Sequence, residues 1–345
     1  MTRESIDCCS AAFEHFRFSR VAWRLACWSA VSMIGFPEML ISGTLPALFA
    51  NRTVLLVGDS LDRNAVSFTC AAFRERQSKW LDVDLRGMGM SNYSYCHIRT
   101  QSADPVVLAQ FMNYGSLRDP IGPDAPLWDY AYREQNFSKG VPTGLASTPD
   151  EHISRDATRI RAVLRGAHTQ PDLVVIQSYL WDLARHWRVA GRCSRSFMPD
   201  LKTFLPHWVE GVRHQLAVAR AAWPDALLAW RTAPPAAGLG RSASPSILKA
   251  MNDEVRALLA GQNATGHRRV RLLDWADFVV GRHNGSVAAA LATTLDRMHP
   301  GEHDSLALVQ MVFELLCRDL SSRPVWLHAC LAEVIGSANA SDASV

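Results

Sequence analysis

From residue 53 onward, short apolar runs alternate with longer stretches in which apolar positions recur at helical spacing. Residues 53–57 form an unbroken run of β-branched and leucine residues, the pattern of a strand buried on both faces. Residues 61–76 repeat apolar positions about every 3.6 residues, which predicts a helix. The same reasoning predicts strands at 81–85, 173–177, 226–230 and 270–273, and helices at 153–164, 201–223, 247–259 and 306–316. This alternation favours one three-layer α/β/α domain around a parallel sheet of about five strands.

The alternation is interrupted between residues 93 and 150, where six prolines lie among glycines and aromatic residues. Such a long irregular stretch in a compact domain is typical of a functional loop, while a surface insertion without a role is the alternative. We therefore predict an N-terminal segment at 1–50, an α/β domain at 51–320 with an insertion at 93–150, and a polar tail at 321–345.

The N-terminal segment contains a mostly apolar run at residues 25–36, preceded by three arginines and ended by a proline and a glutamate. This order resembles a signal sequence or a signal anchor. However, the first predicted strand begins soon afterwards, which leaves almost no stem between an anchor and the domain. A buried helix at the domain edge is the alternative, so membrane attachment through residues 20–45 stays open.

The composition narrows the class of protein. Hydrophobic residues make up 48% and charged residues 20% of the 345 residues, as in globular rather than disordered chains. The 36 basic side chains nearly balance the 33 acidic ones and form no basic run, so we expect no nucleic-acid partner. No uninterrupted apolar run reaches the roughly 18 residues of a membrane span, which excludes a protein with several spans.

Asparagines and cysteines bear on the compartment. Six of the nine asparagines begin an Asn-x-Ser/Thr sequon, a larger share than chance predicts: Asn51, Asn92, Asn136, Asn263, Asn284 and Asn339. The eight cysteines include no Cys-x-x-Cys pair; their even number agrees with disulfides, and buried free thiols are the alternative. These observations favour the lumen of the secretory pathway, in the Golgi or endoplasmic reticulum, or secretion.

The strongest local motif is Gly58-Asp59-Ser60, where the first predicted strand turns into the first predicted helix. A residue at that point stands at the carboxyl edge of a parallel sheet, where α/β proteins bind ligands. The Ser60 backbone N–H would lie at a helix N-terminus, where the helix dipole favours an oxyanion or alkoxide. The motif predicts a nucleophilic serine, and an ordinary serine N-cap is the alternative.

A second motif, Asp296-Arg-Met-His299-Pro-Gly, precedes the last predicted helix. A nucleophilic serine needs a base within hydrogen-bond reach, and the base needs an acceptor that fixes its tautomer. Asp and His three residues apart in one turn can supply both. His299 to His303 also matches a His-x-x-Glu-His zinc pattern, but the Pro-Gly pair inside it argues against the continuous helix that this pattern needs. We predict no metal and no cofactor.

Together the two motifs resemble those of the SGNH (GDSL-type) hydrolase superfamily, and within it those of the PC-esterase and trichome birefringence-like group. Residues 58–64, Gly-Asp-Ser-Leu-Asp-Arg-Asn, match that group's Gly-Asp-Ser-x-x-Arg-Asn pattern, and Asp296-x-x-His299 matches its distal motif. Weaker likenesses are Leu-Trp-Asp-Leu at 180–183 and Arg-Thr at 231–232. The likeness spans residues 45–320 and implies the SGNH fold.

The resemblance implies that Ser60 is the nucleophile, His299 the general base and acid, and Asp296 the residue that orients His299. It also implies an oxyanion hole built from the Ser60 N–H and from Gly87 or Gly89, after the second predicted strand.

The sequence departs from the superfamily at one element. The usual Gly-x-Asn-Asp would supply an Asn donor to the oxyanion, but Trp181 stands at that place. Because loss of one such donor costs about 2.7–4 kcal/mol in the barrier, we expect a substitute. The further residues expected at the oxyanion or the substrate are Asp59, Arg63, Asn64, Arg231 and Trp181 itself.

Members of this group hydrolyse O-acyl esters or transfer acetyl groups to polysaccharide hydroxyls, through an acyl-serine intermediate. The resemblance implies a serine O-acyl esterase or acyltransferase, of O-acetyl groups above all, with an acyl donor and a carbohydrate as partners. The sequons and the eleven tryptophans, whose indole faces can stack on sugars, favour a glycan substrate. Of the two reactions, we favour transfer to glycan hydroxyls. A simple carboxylic-ester hydrolase and a non-catalytic glycan-binding protein on the same fold are the alternatives.

Overall fold

A computed structural model of the chain describes residues 45, 47–76, 93–100, 104–113, 115–116, 170–183, 200–237, 244–264 and 270–320. Within these ranges the strands are β1 (Thr53–Gly58), β2 (Tyr93–Ile98), β3 (Val106–Met112), β4 (Leu173–Ile176), β5 (Leu227–Arg231) and β6 (Arg271–Leu273). The α-helices are α1 (Ser60–Arg76), α2 (Leu201–Ala222), α3 (Pro245–Ala264), α4 (Trp275–Arg282), α5 (Val287–Ala292) and α6 (Glu302–Leu320). A short 3₁₀ helix, Ala47–Phe49, precedes β1.

The strands form one sheet in the order β2-β3-β1-β4-β5-β6. All neighbouring strands are parallel except β2, which pairs antiparallel with β3 at the edge. Every residue of β1 and β4 is buried, so helices and loops cover both faces of the sheet. Helices α1 and α6 pack together, as do α2 and α3. The predicted α/β fold with a central sheet is therefore confirmed.

The helices place their apolar stripes on the sheet, as the spacing predicts. In α2, Trp208, Val212 and Leu216 are buried, and the Asp200 side chain caps the helix by accepting from the Lys202 N–H at 3.1 Å. In α6, the buried Phe313 ring meets Phe49 edge to face at 5.0 Å between ring centroids. These side chains belong to the same hydrophobic core as the buried residues of β1.

The structure corrects the prediction for residues 93–112. Tyr93–Ile98 and Val106–Met112 form β2 and β3 rather than part of an irregular insertion, so the sheet has six strands among the described residues, of which one is antiparallel. Pro105 hid this pattern, but a proline is tolerated immediately before a strand, where no ladder hydrogen bond is lost. The strand predicted at 81–85 and the helix predicted at 153–164 lie outside the described residues, as does 117–150.

Cys70 on α1 and Cys96 on β2 form a disulfide, with their Cα atoms 5.9 Å apart. It fastens the edge strand to the helix that starts at the nucleophile motif. Cys317 on α6 is buried, and the other five cysteines lie outside the described residues. No helix in the described part of the chain is both long and apolar enough to cross a membrane. Residues 20–44, which hold most of the segment considered for membrane attachment, lie outside that part.

Candidate active site

The Gly58-Asp59-Ser60 motif forms the turn from β1 into α1, at the carboxyl end of the central strand. Asp59 caps the helix, since its Oδ1 accepts from the Leu61 N–H at 2.9 Å and its carbonyl accepts from the Arg63 N–H at 3.1 Å. Ser60 is therefore the first helical residue and not the cap. Its N–H is one of those that an α-helix leaves without an intrahelical partner.

The Ser60 hydroxyl meets a histidine from a distant part of the chain. His299 Nε2 lies 2.8 Å from Ser60 Oγ, and His299 Nδ1 lies 2.7 Å from Asp296 Oδ2. A carboxylate can only accept, so Nδ1 carries the proton and Nε2 is left to accept from the serine. The three side chains form a continuous relay of the kind that activates a serine for attack.

The turn that carries Asp296 and His299 is fixed by its own hydrogen bonds. Asp296 Oδ1 accepts from the backbone N–H groups of Met298 at 3.0 Å and of His299 at 2.7 Å. Arg297 has a positive φ of 66°, and its carbonyl accepts from the Ala237 N–H at 2.7 Å. One Asp296 oxygen thus holds the backbone while the other holds the imidazole.

Electrostatics keep this carboxylate ionised. Partial burial raises the pKa of Asp296, but hydrogen bonds from the His299 backbone and ring, and from the Met298 N–H, outweigh it. The net effect lowers the pKa below its ordinary value. Asp296 is therefore an acceptor for the His299 ring well into the acidic range.

A buried ion pair lies under the nucleophile turn. Arg231, the last residue of β5, donates through Nε and Nη2 to the two oxygens of Asp62, at 2.8 and 2.7 Å. Gln177, after β4, donates to the same carboxylate at 2.9 Å. Asp59 Oδ1 lies 3.9 Å from Arg231 Nη2. Burial and then repulsion by Asp62 raise the pKa of Asp59, against the opposite effect of Arg231.

This geometry corrects two predicted site residues. Arg231 has no exposed surface and Asp59 is 2% exposed, so neither is placed to contact substrate or an oxyanion.

Sequence reasoning also missed Asp62, the partner of Arg231, although it lies inside the matched motif. Arg63 and Asn64 lie partly exposed on the first turn of α1, and Trp181 lies partly exposed after β4.

The loop after β3 also lies against the nucleophile turn. The Asn113 backbone N–H donates to the Gly58 carbonyl at 2.6 Å, and its side chain donates to the Gln177 carbonyl at 2.7 Å. Gly115 has a φ of 122° and donates to Asn113 Oδ1 at 3.2 Å. Sequence reasoning missed both residues because their strand was assigned to the insertion. An Asn-Tyr-Gly-Ser turn after an apolar run was the available signal.

Two sets of predicted residues remain, the glycines of the oxyanion hole and the histidines of the zinc pattern. Gly87 and Gly89 lie outside the described residues. His299 and His303 do not share a helix, because α6 begins only at Glu302. Among the residues that the structure describes, no three His, Cys, Asp or Glu side chains are grouped to hold a metal ion.

No protein-family model and no curated protein matches this sequence. Among solved structures, the chain is similar to a GDSL-like lipase from Bacteroides thetaiotaomicron, with 11% identity, 83% of this chain and 98% of that chain covered, and a TM-score of 0.39. It is similar to a carbohydrate esterase family 3 protein from Talaromyces cellulolyticus, with 16% identity, 78% and 99% covered, and a TM-score of 0.39. It is also similar to a family two carbohydrate esterase from Clostridium thermocellum in complex with cellohexaose. The identity is 13%, 80% of this chain and 66% of that chain are covered, and the TM-score is 0.36.

Proposed function

We propose that this chain is an SGNH-type serine esterase or acyltransferase that acts on O-acyl groups through an acyl-serine intermediate. One observation supports this above all: the hydrogen-bonded relay from Ser60 through His299 to Asp296. The relay lies at the carboxyl end of the central strand, and its serine is the first residue of a helix. This position gives the nucleophile both a base and a backbone donor for the oxyanion.

The chemistry follows from the relay. Ser60 Oγ bonds to the acyl carbonyl carbon while His299 Nε2 takes the hydroxyl proton, and the charge develops on the carbonyl oxygen near the Ser60 N–H. The ester C–O bond then breaks, and His299 gives the proton to the leaving oxygen. Water or a sugar hydroxyl next attacks the acyl-serine and gives a proton to His299. The same proton returns to Ser60 Oγ as the new ester or acid leaves.

The substrate is proposed from the sequence resemblance. We assign it as an O-acetyl ester of a carbohydrate, with transfer to a glycan hydroxyl preferred over hydrolysis. Trp181, partly exposed after the strand next to β1, is the described tryptophan best placed to stack on a sugar ring. Trp208, Trp223, Trp230 and Trp275 are fully buried and belong to the core.

Labelling with a fluorophosphonate probe tests the nucleophile. We expect the wild-type protein to be labelled at Ser60 and Ser60→Ala to lose the label. Ser246→Ala, a change at an exposed serine on α3, serves as the matched control and should leave labelling unchanged. Labelling that survives Ser60→Ala contradicts the assignment. Sugar binding with neither labelling nor turnover favours a glycan-binding protein.

A second assay separates the two acyl acceptors. An activated acetyl ester is incubated with oligosaccharides, and the products are analysed by mass spectrometry. Acetylated oligosaccharide supports transfer. Free acetate alone with every acceptor supports the esterase.

We also propose that the chain follows the secretory route. The Cys70–Cys96 disulfide supports this, because such bonds persist in oxidising compartments. Asn51 and Asn284 support it too, since both begin sequons in exposed turns. Expression in a secretory host should give a product whose mass falls on treatment with peptide N-glycosidase. A product of unmodified mass contradicts the proposal.

A further inference from the structure

The buried fork between Arg231 and Asp62 joins distant parts of the fold at the nucleophile. Asp62 follows Ser60 by two residues in the first turn of α1, whereas Arg231 ends β5, the second strand away from β1. Neither side chain has more than 1% of its surface exposed. Two charges in such a place need near-ideal geometry to offset their desolvation, and the bidentate contact provides it.

Each end of the fork is itself held in place. A Cβ atom at Gly58 would overlap the Asp62 carboxylate, so that carboxylate is seated directly against the backbone before Ser60. Arg231 Nη1 donates to the Thr232 carbonyl at 3.0 Å, and the guanidinium lies 4.8 Å from the centre of the Trp275 ring. The fork therefore ties the start of α1 to the end of β5, and further contacts hold both of its ends.

We propose that Arg231 is a positioning residue for Ser60. Its fork onto Asp62 fixes the first turn of α1, and with it the Ser60 hydroxyl within reach of His299. The guanidinium also neutralises a carboxylate that would otherwise oppose the negative charge of the developing oxyanion. This assignment rests on the proposed acyl-serine chemistry, and Arg231 acts in it without touching substrate.

A second ion pair provides a matched control at the other end of the sheet. Arg52 Nη1 lies 2.7 Å from Asp172 Oδ1 and joins the start of β1 to the start of β4. Both side chains are largely buried, at 14% and 16% exposed. The pair thus shares its chemistry with the Arg231 fork, but it lies at the opposite end of β1 from Ser60.

The test compares Arg231→Lys and Arg231→Gln with Arg52→Gln. We expect both Arg231 variants to lower kcat for an activated acetyl ester, Arg231→Gln by about 100-fold, with KM unchanged. Lys keeps the charge but not the fork, so its kcat should lie between those of Gln and the wild type. Arg52→Gln should lower the unfolding temperature and leave kcat per folded molecule unchanged. Wild-type kcat in folded Arg231 variants, or an equal loss in Arg52→Gln, overturns the proposal.

Two additions keep the test decisive. If a single Arg231 variant does not fold, Asp62→Asn/Arg231→Gln removes both charges of the fork together. We expect this double variant to fold with a lowered kcat, and a wild-type kcat overturns the proposal. Hydrogen exchange of the backbone amides of residues 58–66 gives a readout that does not depend on catalysis. Faster exchange in Arg231→Lys than in Arg52→Gln supports the role of the fork, and equal exchange overturns it. If the probe does not label the wild-type protein but exchange is still faster in Arg231→Lys than in Arg52→Gln, the proposed function is refuted. The role of the fork in holding the first turn of α1 is then still supported.

Discussion

Replacing Asp296 by Asn should inactivate the relay through the tautomer of His299. In the wild type, Asp296 Oδ1 accepts from two backbone N–H groups while Oδ2 accepts from the imidazole. An Asn side chain must keep its carbonyl oxygen toward the two N–H groups, so its amide nitrogen replaces Oδ2. That nitrogen then stands about 2.7 Å from His299 Nδ1 as a second donor. The imidazole must move its proton to Nε2 and can no longer accept from Ser60.

The expected loss is large for catalysis and small for stability. The same change in a serine-protease relay lowers kcat by about 10⁴-fold, which corresponds to roughly 5 kcal/mol in the barrier. The backbone hydrogen bonds of the turn survive the substitution, and the Asp296 side chain is half-exposed, so the unfolding temperature should change little. A loss of kcat without a loss of folded protein is therefore the signature of a wrong tautomer.

The assay measures kcat and KM for an activated acetyl ester, together with thermal unfolding. Asp253→Asn is the matched control, because Asp253 is similarly exposed and also accepts hydrogen bonds from side chains three and four residues away in the chain. We expect the control to keep wild-type kcat. If Asp296→Asn keeps kcat within about tenfold of the wild type, the tautomer argument is refuted.

Two further predictions concern stability. Cys70→Ala/Cys96→Ala removes a link between residues 26 positions apart, and we expect it to lower the unfolding free energy by about 3–4 kcal/mol. Denaturant titrations measure this value, and an unchanged free energy would contradict the prediction. Asp274→Asn weakens the hydrogen bonds from Arg256 and Thr232 and should cost about 2 kcal/mol at pH 7. Partial burial raises the pKa of Asp274, but these hydrogen bonds lower it by more. The pKa in the folded state is therefore below the value in the unfolded state. The difference from wild type should therefore persist above the unfolded pKa and fade as the pH falls through the folded one; a constant difference contradicts this.

Much of the sheet could be predicted because short apolar runs between helical patterns are a local signature of parallel strands. Four of the five predicted strands match β1, β4, β5 and β6 to within a residue or two at each end. The strands β2 and β3 were missed because β2 is an edge strand with alternating exposure, and Pro105 precedes β3. Helices α4 and α5 were missed because they have only eight and six residues, too few for a periodic stripe to stand out.

The site likewise has residues that could be predicted from the sequence and residues that could not. The Gly-Asp-Ser and Asp-x-x-His motifs are short and local, so the sequence identifies Ser60, Asp296 and His299 as candidates. The prediction that Arg231 lies at the oxyanion or the substrate is wrong. A sequence shows the charge of a side chain but not whether that side chain faces solvent or a buried carboxylate.

The sequence by itself determined the strand–serine–helix turn and the turn that carries Asp296 and His299. Both depend on interactions between residues close in the chain: the Asp59 cap at one, and the Asp296 hydrogen bonds at the other. Only the tertiary structure decided that these turns meet, 239 residues apart in sequence and 2.8 Å apart in space. It also decided that Arg231 lies under Ser60, since the order of strands in the sheet brings the end of β5 to the start of α1. Such contacts come from packing, which local patterns do not encode.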